Sequence, residues 1–301
     1  MLTIGSRGSQ LALWQANWVR RSLEALGETC RIEIIRTTGD KIADVPLAKV
    51  GTKGLFTKEI EEALLDGRID VAVHSLKDLP TELPAGLAIS AIPEREDARD
   101  ALVGGRIAEL ARGARVGTSS LRRVAQLRAV RPDLAVESVR GNLDTRLRKL
   151  GEGQFHALVM AAAGLRRLGW EARIAEYLPV DVMCPAVGQG ALAIETRQEA
   201  AAAQSCARLD HAPTRLAVEA ERAVLASLGG GCQVPIGAYG QVAGDRLDLI
   251  AIVASPDGAR LIRKTAGGAA RDRCRIGEEL GRRLLDVGAR QILEEVYSAG
   301  R

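Results

Sequence analysis

A single thiol held on a glycine hinge is the first chemical feature of this sequence. Gly229-Gly230-Gly231-Cys232-Gln233-Val234-Pro235 follows a helical segment, Thr214 to Leu228, and precedes a short strand, Ile236 to Gln241. The glycines carry no Cβ and accept positive φ, so this backbone can present the thiol to something bulky. Pro235 fixes φ behind it. A buried structural cysteine after a helix C-cap is the plain alternative, since free Cys is among the most buried residue types. One glycine is enough for such a cap, so the second and third call for another reason, and a functional thiol stands beside the structural reading.

A second cluster sits at the end of a buried-type strand, Val71 to Val73. His74, Ser75, Lys77 and Asp78 follow at once, before Leu79-Pro80. In open α/β sheets ligands bind beyond the carboxyl ends of strands. Of these four polar residues in five positions, hard to explain as packing, Asp78 stands last. Its bland reading is a turn residue ahead of the proline.

The third feature is arginine, which supplies 35 of the 42 basic side chains. Compositional bias raises that number but does not decide where the arginines lie. Arg7, Arg122, Arg123, Arg140, Arg146 and Arg167 all fall just after expected strands. A planar, permanently charged fork there grips carboxylate or phosphate bidentately. Ser9 and the run Thr118-Ser119-Ser120 open helices at the same kind of corner, where helix N-termini attract anions. The placement points to one convergent polyanion site. Lys49 and Lys53 belong to Thr37–Phe56, a long glycine-containing stretch that reads as a lid.

These residues need a scaffold that alternates strand and helix. Strand Leu2–Ser6, helix Gln10–Leu26 capped by Ser9, strand Cys30–Arg36, helix Thr57–Asp66, strand Val71–Val73 and strand Gly86–Ile92 form a first α/β half. A charged crossing, Pro93–Asp100, leads to a second. It holds strand Ala101–Val103, a short helix Ile107–Ala111, strand Arg115–Gly117, a helix ending at Val130, strand Ala135–Val139, and strand Ala157–Met160. Strand Ala191–Glu195 returns to the first sheet. The pattern then changes to strands Ile236–Gln241, Arg246–Val253 and Arg260–Lys264 followed by helices Asp272–Leu285 and Ala289–Tyr297, an α+β order. The expected domains are residues 1–95 with 190–207, residues 96–189, and residues 212–301.

The 301 residues can bury a large core without staples. Five widely spaced cysteines form no disulfide framework and no zinc pattern, so a reducing, cytoplasmic setting is expected. The N-terminus enters a strand with no apolar signal region, and no run of about 18 apolar residues appears. A net charge of +4 and few aromatics speak against nucleic-acid binding.

In order along the chain, Arg7-Gly8-Ser9, the segment Lys49 to Phe56, His74 to Asp78, Gly117 to Arg123, Arg140 to Arg146, and Gly229 to Pro235 resemble the porphobilinogen deaminase family. That resemblance implies two α/β domains like those of type II periplasmic binding proteins around a cleft, plus a small α+β domain. It implies a dipyrromethane cofactor held by a thioether to Cys232. It further implies that four porphobilinogen molecules are joined head to tail with loss of ammonia, giving hydroxymethylbilane for tetrapyrrole biosynthesis. On this resemblance Asp78 is catalytic. Lys77, Ser75, Ser9, Thr118, Ser119, Ser120, Arg122 and Arg123 hold the cofactor. Arg7, Arg140, Arg146, Arg167, Lys49 and Lys53 face substrate. No metal and no membrane are implied, and a monomer is expected. The competing reading is a non-catalytic two-lobed anion-binding protein, which needs neither Asp78 among arginines nor the cysteine loop.

Overall fold

The structure, a computed structural model, describes residues 1–41, 57–230 and 234–299. Lys49, Lys53 and Cys232, and with them most of the expected lid, lie outside the described residues. The chain begins with β1 (Leu2–Ser6), α1 (Gln10–Ala25), β2 (Cys30–Ile34), α2 (Thr38–Lys41), α3 (Lys58–Leu65), β3 (Val71–Ser75) and β4 (Leu87–Ala91). It continues through β5 (Asp100–Val103), β6 (Arg115–Gly117), α4 (Leu121–Val130), β7 (Ala135–Glu137), α5 (Leu143–Gly151), β8 (Ala157–Ala161), α6 (Ala162–Arg167) and β9 (Glu176–Leu178). Next come β10 (Leu192–Arg197), α7 (Ala201–Ala207), α8 (Ala212–Ser227), β11 (Ile236–Ala243), β12 (Arg246–Ala254), β13 (Leu261–Ala269), α9 (Arg273–Leu284) and α10 (Arg290–Ala299). Two compact units result, residues 1–96 with 191–215 and residues 97–190 with 216–301.

The first unit is a five-stranded sheet of order β2-β1-β3-β10-β4. β1 runs parallel to β2 and β3, whereas β10 is antiparallel to β3 and β4. Strand side chains alternate between faces. Val71 and Val73 therefore join Ile4 and Ile194 against Ala16, Val19 and Leu23 of α1. Ala72 points the other way, into Ile60, Ala63 and Leu64 of α3. Burial on both faces explains why β3 reads as an unbroken apolar run. Ser9 caps α1 as expected, accepting a hydrogen bond from the Ala12 N–H at 3.3 Å.

The second unit carries two sheets. One has the order β7-β6-β8-β5-β9, with β6 parallel to β7 and β8 and β5 antiparallel to β8 and β9. The other is an antiparallel meander, β11-β12-β13. One face of the meander supplies Ala238, Leu247, Leu249, Ala251 and Val253 to a core shared with α8 and α9. Gly277 lets α9 approach α8 closely: a Cβ there would stand 2.3 Å from the Ala220 carbonyl oxygen. A fully buried Leu or Val stabilises such a core by about 1.5–3 kcal/mol.

The expected helix Ile107–Ala111 is a set of turns instead. The seven residues between Gly104-Gly105 and Gly113 are too few to repay the cost of nucleating a helix. Four short elements, α2, α6, β9 and α7, were not anticipated, and α2 opens the stretch read as a lid. The strands of the meander run longer than expected, β13 reaching Ala269.

Candidate active site

In the first unit the site residues hang from the C-terminal ends of β1 and β3. Arg7 follows β1 directly and is half-buried, as is Ser9 two residues on. Ser75 ends β3, and its Oγ accepts a hydrogen bond at 3.0 Å from Gln15 Nε2, which reaches down from the buried face of α1. A single 3-10 turn, Leu76–Asp78, comes next. Leu76 is buried and its N–H donates to the Ala191 carbonyl at 3.0 Å, so the turn is pinned at its base. That pin leaves Lys77 half-buried and Asp78 exposed to solvent.

Behind this turn lies a polar pair inside the sheet. His74 Nε2 and Glu195 Oε2 are 3.0 Å apart, with side chains 4% and 0% exposed. Glu61, from α3, is also buried. Burial pushes the Glu61 carboxyl above its ordinary value, and the charge of Glu195 adds to the rise.

In the second unit a denser cluster surrounds Asp100, the first residue of β5. Arg122 Nη1 donates to Asp100 Oδ2 at 2.8 Å. Arg123 donates to Oδ1 through Nε at 3.0 Å and Nη2 at 2.7 Å. Gln189 Nε2 adds a donor to the same oxygen at 2.8 Å. The carboxylate is 0% exposed, and the two arginines are 4% and 6% exposed. Burial on its own would raise the Asp100 carboxyl. The charges and hydrogen bonds of Arg122 and Arg123 overcome that and hold it well below the usual carboxylate range.

The helix positions explain the geometry. Arg122 and Arg123 stand in the first turn of α4, immediately after β6 and Thr118-Ser119-Ser120. Thr118 is buried, whereas Ser119 and Ser120 are partly open. Ser119 Oγ donates to the Val139 carbonyl at 2.5 Å, tying this turn to the one that carries Arg140. Gly141 has φ +105°, and a Cβ there would lie 2.6 Å from Thr145 Cγ2, so the turn requires glycine. Arg146, on the first turn of α5, donates through Nε to the Gly141 carbonyl at 2.7 Å. Burial lowers Arg146 to about 10, and the positive charges of Arg123 and Arg140 push in the same direction. Arg146 thus lies close enough to Arg123 and to Arg140 to be repelled by each. Arg167 is buried at the end of α6, with Nη2 donating to the Gly190 carbonyl at 2.6 Å.

The arrangement suits carboxylate ligands. Arg122 and Arg123 share one fixed counter-charge, Asp100, Arg146 lies within electrostatic reach of Arg123 and Arg140, and the Arg122 Nε is buried with no hydrogen-bond partner among the described residues. An orphaned buried donor costs about 1–3 kcal/mol, which an incoming acceptor can recover. The described residues contain no group of three or more His, Cys, Asp or Glu side chains able to hold a metal ion, and no helix long and apolar enough to cross a membrane.

Sequence reasoning singled out the arginines but not Asp100 and Gln189, which organise two of them. Asp100 closes a charged run and opens a strand, and a carboxylate at the start of a buried strand is itself a signal for a buried partner. Gln15 carried no signal beyond its place on the buried face of α1.

Family profiles match most of the chain. One described as "Porphobilinogen deaminase, dipyromethane cofactor binding domain" covers residues 2–205, and one described as "Porphobilinogen deaminase, C-terminal domain" covers residues 215–286. The curated porphobilinogen deaminase of Geobacter metallireducens is 53% identical over 301 residues, spanning 98% of this chain and 95% of its own. That of Syntrophobacter fumaroxidans is 52% identical, spanning 99% of both. A periplasmic substrate-binding protein of an ABC transporter from Coxiella burnetii overlaps 74% of this chain and 97% of its own at a TM-score of 0.43 and 11% identity, too distant to argue from.

Proposed function

The chain belongs to the porphobilinogen deaminase family, and from that premise we propose how its own residues carry the family's reaction. It condenses four porphobilinogen molecules head to tail, releasing four ammonia molecules, and water then frees the linear tetrapyrrole hydroxymethylbilane. The observation that carries this reading is the buried Arg122–Asp100–Arg123 cluster in the second unit, with Arg146 close enough to Arg123 and Arg140 to feel their charge. Each pyrrole unit brings an acetate and a propionate, and permanently charged bidentate forks are the side chains such a cargo calls for.

A dipyrromethane, made from two substrate units and bonded to Cys232, would supply the carbon at which the chain grows. Thr118, Ser119, Ser120, Arg122 and Arg123 are assigned to its carboxylates, with Ser9, Ser75 and Lys77 from the first unit. Arg7, Arg140, Arg146 and Arg167 are assigned to substrate and growing chain, and Lys49 and Lys53 to a covering segment. Asp78 is exposed at the end of a pinned turn. Its carboxylate accepts the pyrrole N–H and offsets the positive charge that develops as ammonia leaves. Cys232 acts once, its sulfur forming the thioether as the substrate's aminomethyl carbon loses ammonia. The three-domain division at residues 1–95 with 190–207, 96–189 and 212–301, a monomeric state and a cytoplasmic location belong to the same reading.

The test is stoichiometric. Purified protein given porphobilinogen should release one ammonia per molecule consumed and accumulate a linear tetrapyrrole. Binding of porphobilinogen without ammonia release would instead favour the anion-binding alternative.

A further inference from the structure

We propose that Asp100 is a positioning residue for the cofactor arginines, an internal carboxylate that assembles Arg122 and Arg123 before any ligand arrives. The inference rests on the reading that this pair receives a cofactor carboxylate. Asp100 divides its two oxygens between the two guanidinia: Oδ2 takes Arg122 Nη1 at 2.8 Å, and Oδ1 takes Arg123 Nε and Nη2 at 3.0 and 2.7 Å. Arg123 Nη1 donates to the Val159 carbonyl at 3.1 Å. Every nitrogen of Arg123 is therefore engaged within the second unit. Arg122 is held differently. Its Nη1 also reaches the Cys184 carbonyl at 2.5 Å, while its Nε is buried with no acceptor among the described residues.

The two arginines consequently have different jobs. Arg123 is clamped and acts through its charge, whereas Arg122 keeps a buried donor for a ligand oxygen. Two cations against one anion leave one net positive charge, so the pair calls for one ligand carboxylate. Gln189 completes the frame, linking Asp100 Oδ1 at 2.8 Å to the Ala98 carbonyl at 2.8 Å through the same nitrogen. A flexible arginine pair would lose side-chain entropy on binding. Here that entropy is already spent in the folded chain, which is preorganisation.

The experiment follows cofactor loading by intact mass. Apo-protein from cells that make no porphobilinogen is mixed with porphobilinogen, and the rise by two pyrrole units is timed for wild type and Asp100→Asn. Asn keeps the shape and removes the charge. The proposal expects loading at least ten-fold slower in the folded variant. Loading at the wild-type rate would overturn it. A wild type that never gains mass would instead remove the cofactor reading beneath it, so the two failures are distinct. If Asp100→Asn does not fold, the apo wild type still decides. The Arg123 Nε–H, assigned in a 15N spectrum with Arg123→Lys, should exchange slowly before loading and keep its shift afterwards. Exchange as fast as that of an exposed arginine would refute preassembly.

Discussion

Replacing Gly by Ala at two helical positions should move stability in opposite directions. At Gly277 the new Cβ would stand 2.3 Å from the Ala220 carbonyl oxygen and 2.8 Å from Ala223 Cβ. Ordinary contacts need roughly 3.5 Å, so α9 and α8 would have to part by about 1 Å. Overpacking of this kind costs about 1–3 kcal/mol. At Gly151, near the end of α5, a Cβ meets nothing within 4 Å, and the backbone φ is ordinary. There the substitution only removes unfolded-state freedom and should gain about 0.4–1 kcal/mol. Thermal unfolding of the two single variants beside wild type reads both. At about 2–4 °C per kcal/mol, Gly277→Ala should lower Tm by about 2–12 °C, and Gly151→Ala should raise it by about 1–4 °C. Equal shifts of the same sign would refute the claim that helix proximity, not helix propensity, sets the outcome. The first variant has a functional side too. α8 leads through Gly229 into the loop of Cys232, so cofactor loading should slow along with the loss of stability.

Other outcomes follow from the site. Asp78→Ala should fold and retain the cofactor mass while losing nearly all turnover; normal ammonia release would remove Asp78 from the chemistry. Arg140→Leu, at a half-buried turn position, should keep the wild-type Tm within about 1 °C yet slow elongation, seen as accumulation of covalent intermediates by mass. The Asp100 carboxyl is depressed in the folded chain, so the unfolded chain binds more protons and the pairing's stability is present above the ordinary carboxylate range of about 4. Wild-type Tm should fall as pH drops below that range, and Asp100→Asn should show a shallower fall; parallel curves would contradict it. Glu61 has the opposite sign, because its carboxyl is raised. Its contribution is present below the unfolded value and lost as pH rises through the raised folded value, so Glu61→Gln should remove that loss of Tm on the rise out of the carboxylate range.

The architecture was legible where local pattern and tertiary environment agree. β1, β3, β11 and β12 carry long apolar or alternating runs, and Ser9 announces α1 with a capping hydroxyl that the structure uses. The helix expected at Ile107–Ala111 failed because glycines flank a seven-residue stretch, too short to repay helix nucleation. β9 was invisible for a different reason: three residues paired only to β5 have no periodicity of their own. The same division holds at the site. Arginines after strands could be read from type and position, since the chain direction of an α/β unit delivers those positions to one edge. Their partners could not, because Asp100, Gln189 and Arg123 are up to 89 residues apart and meet only through the folded sheet. That the two neighbouring arginines differ, one clamped and one with a buried free donor, is a tertiary fact with no local signature.

The central claim is that this chain builds its own primer on Cys232 and extends it. The direct measurement is the intact mass of wild type and of Cys232→Ser after each is incubated with porphobilinogen. The account predicts an increment of two linked pyrrole units on wild type, larger covalent species in steps of one unit when substrate is limiting, and neither in the variant. A wild type that stays unmodified, or a variant that gains the same increment, would contradict it.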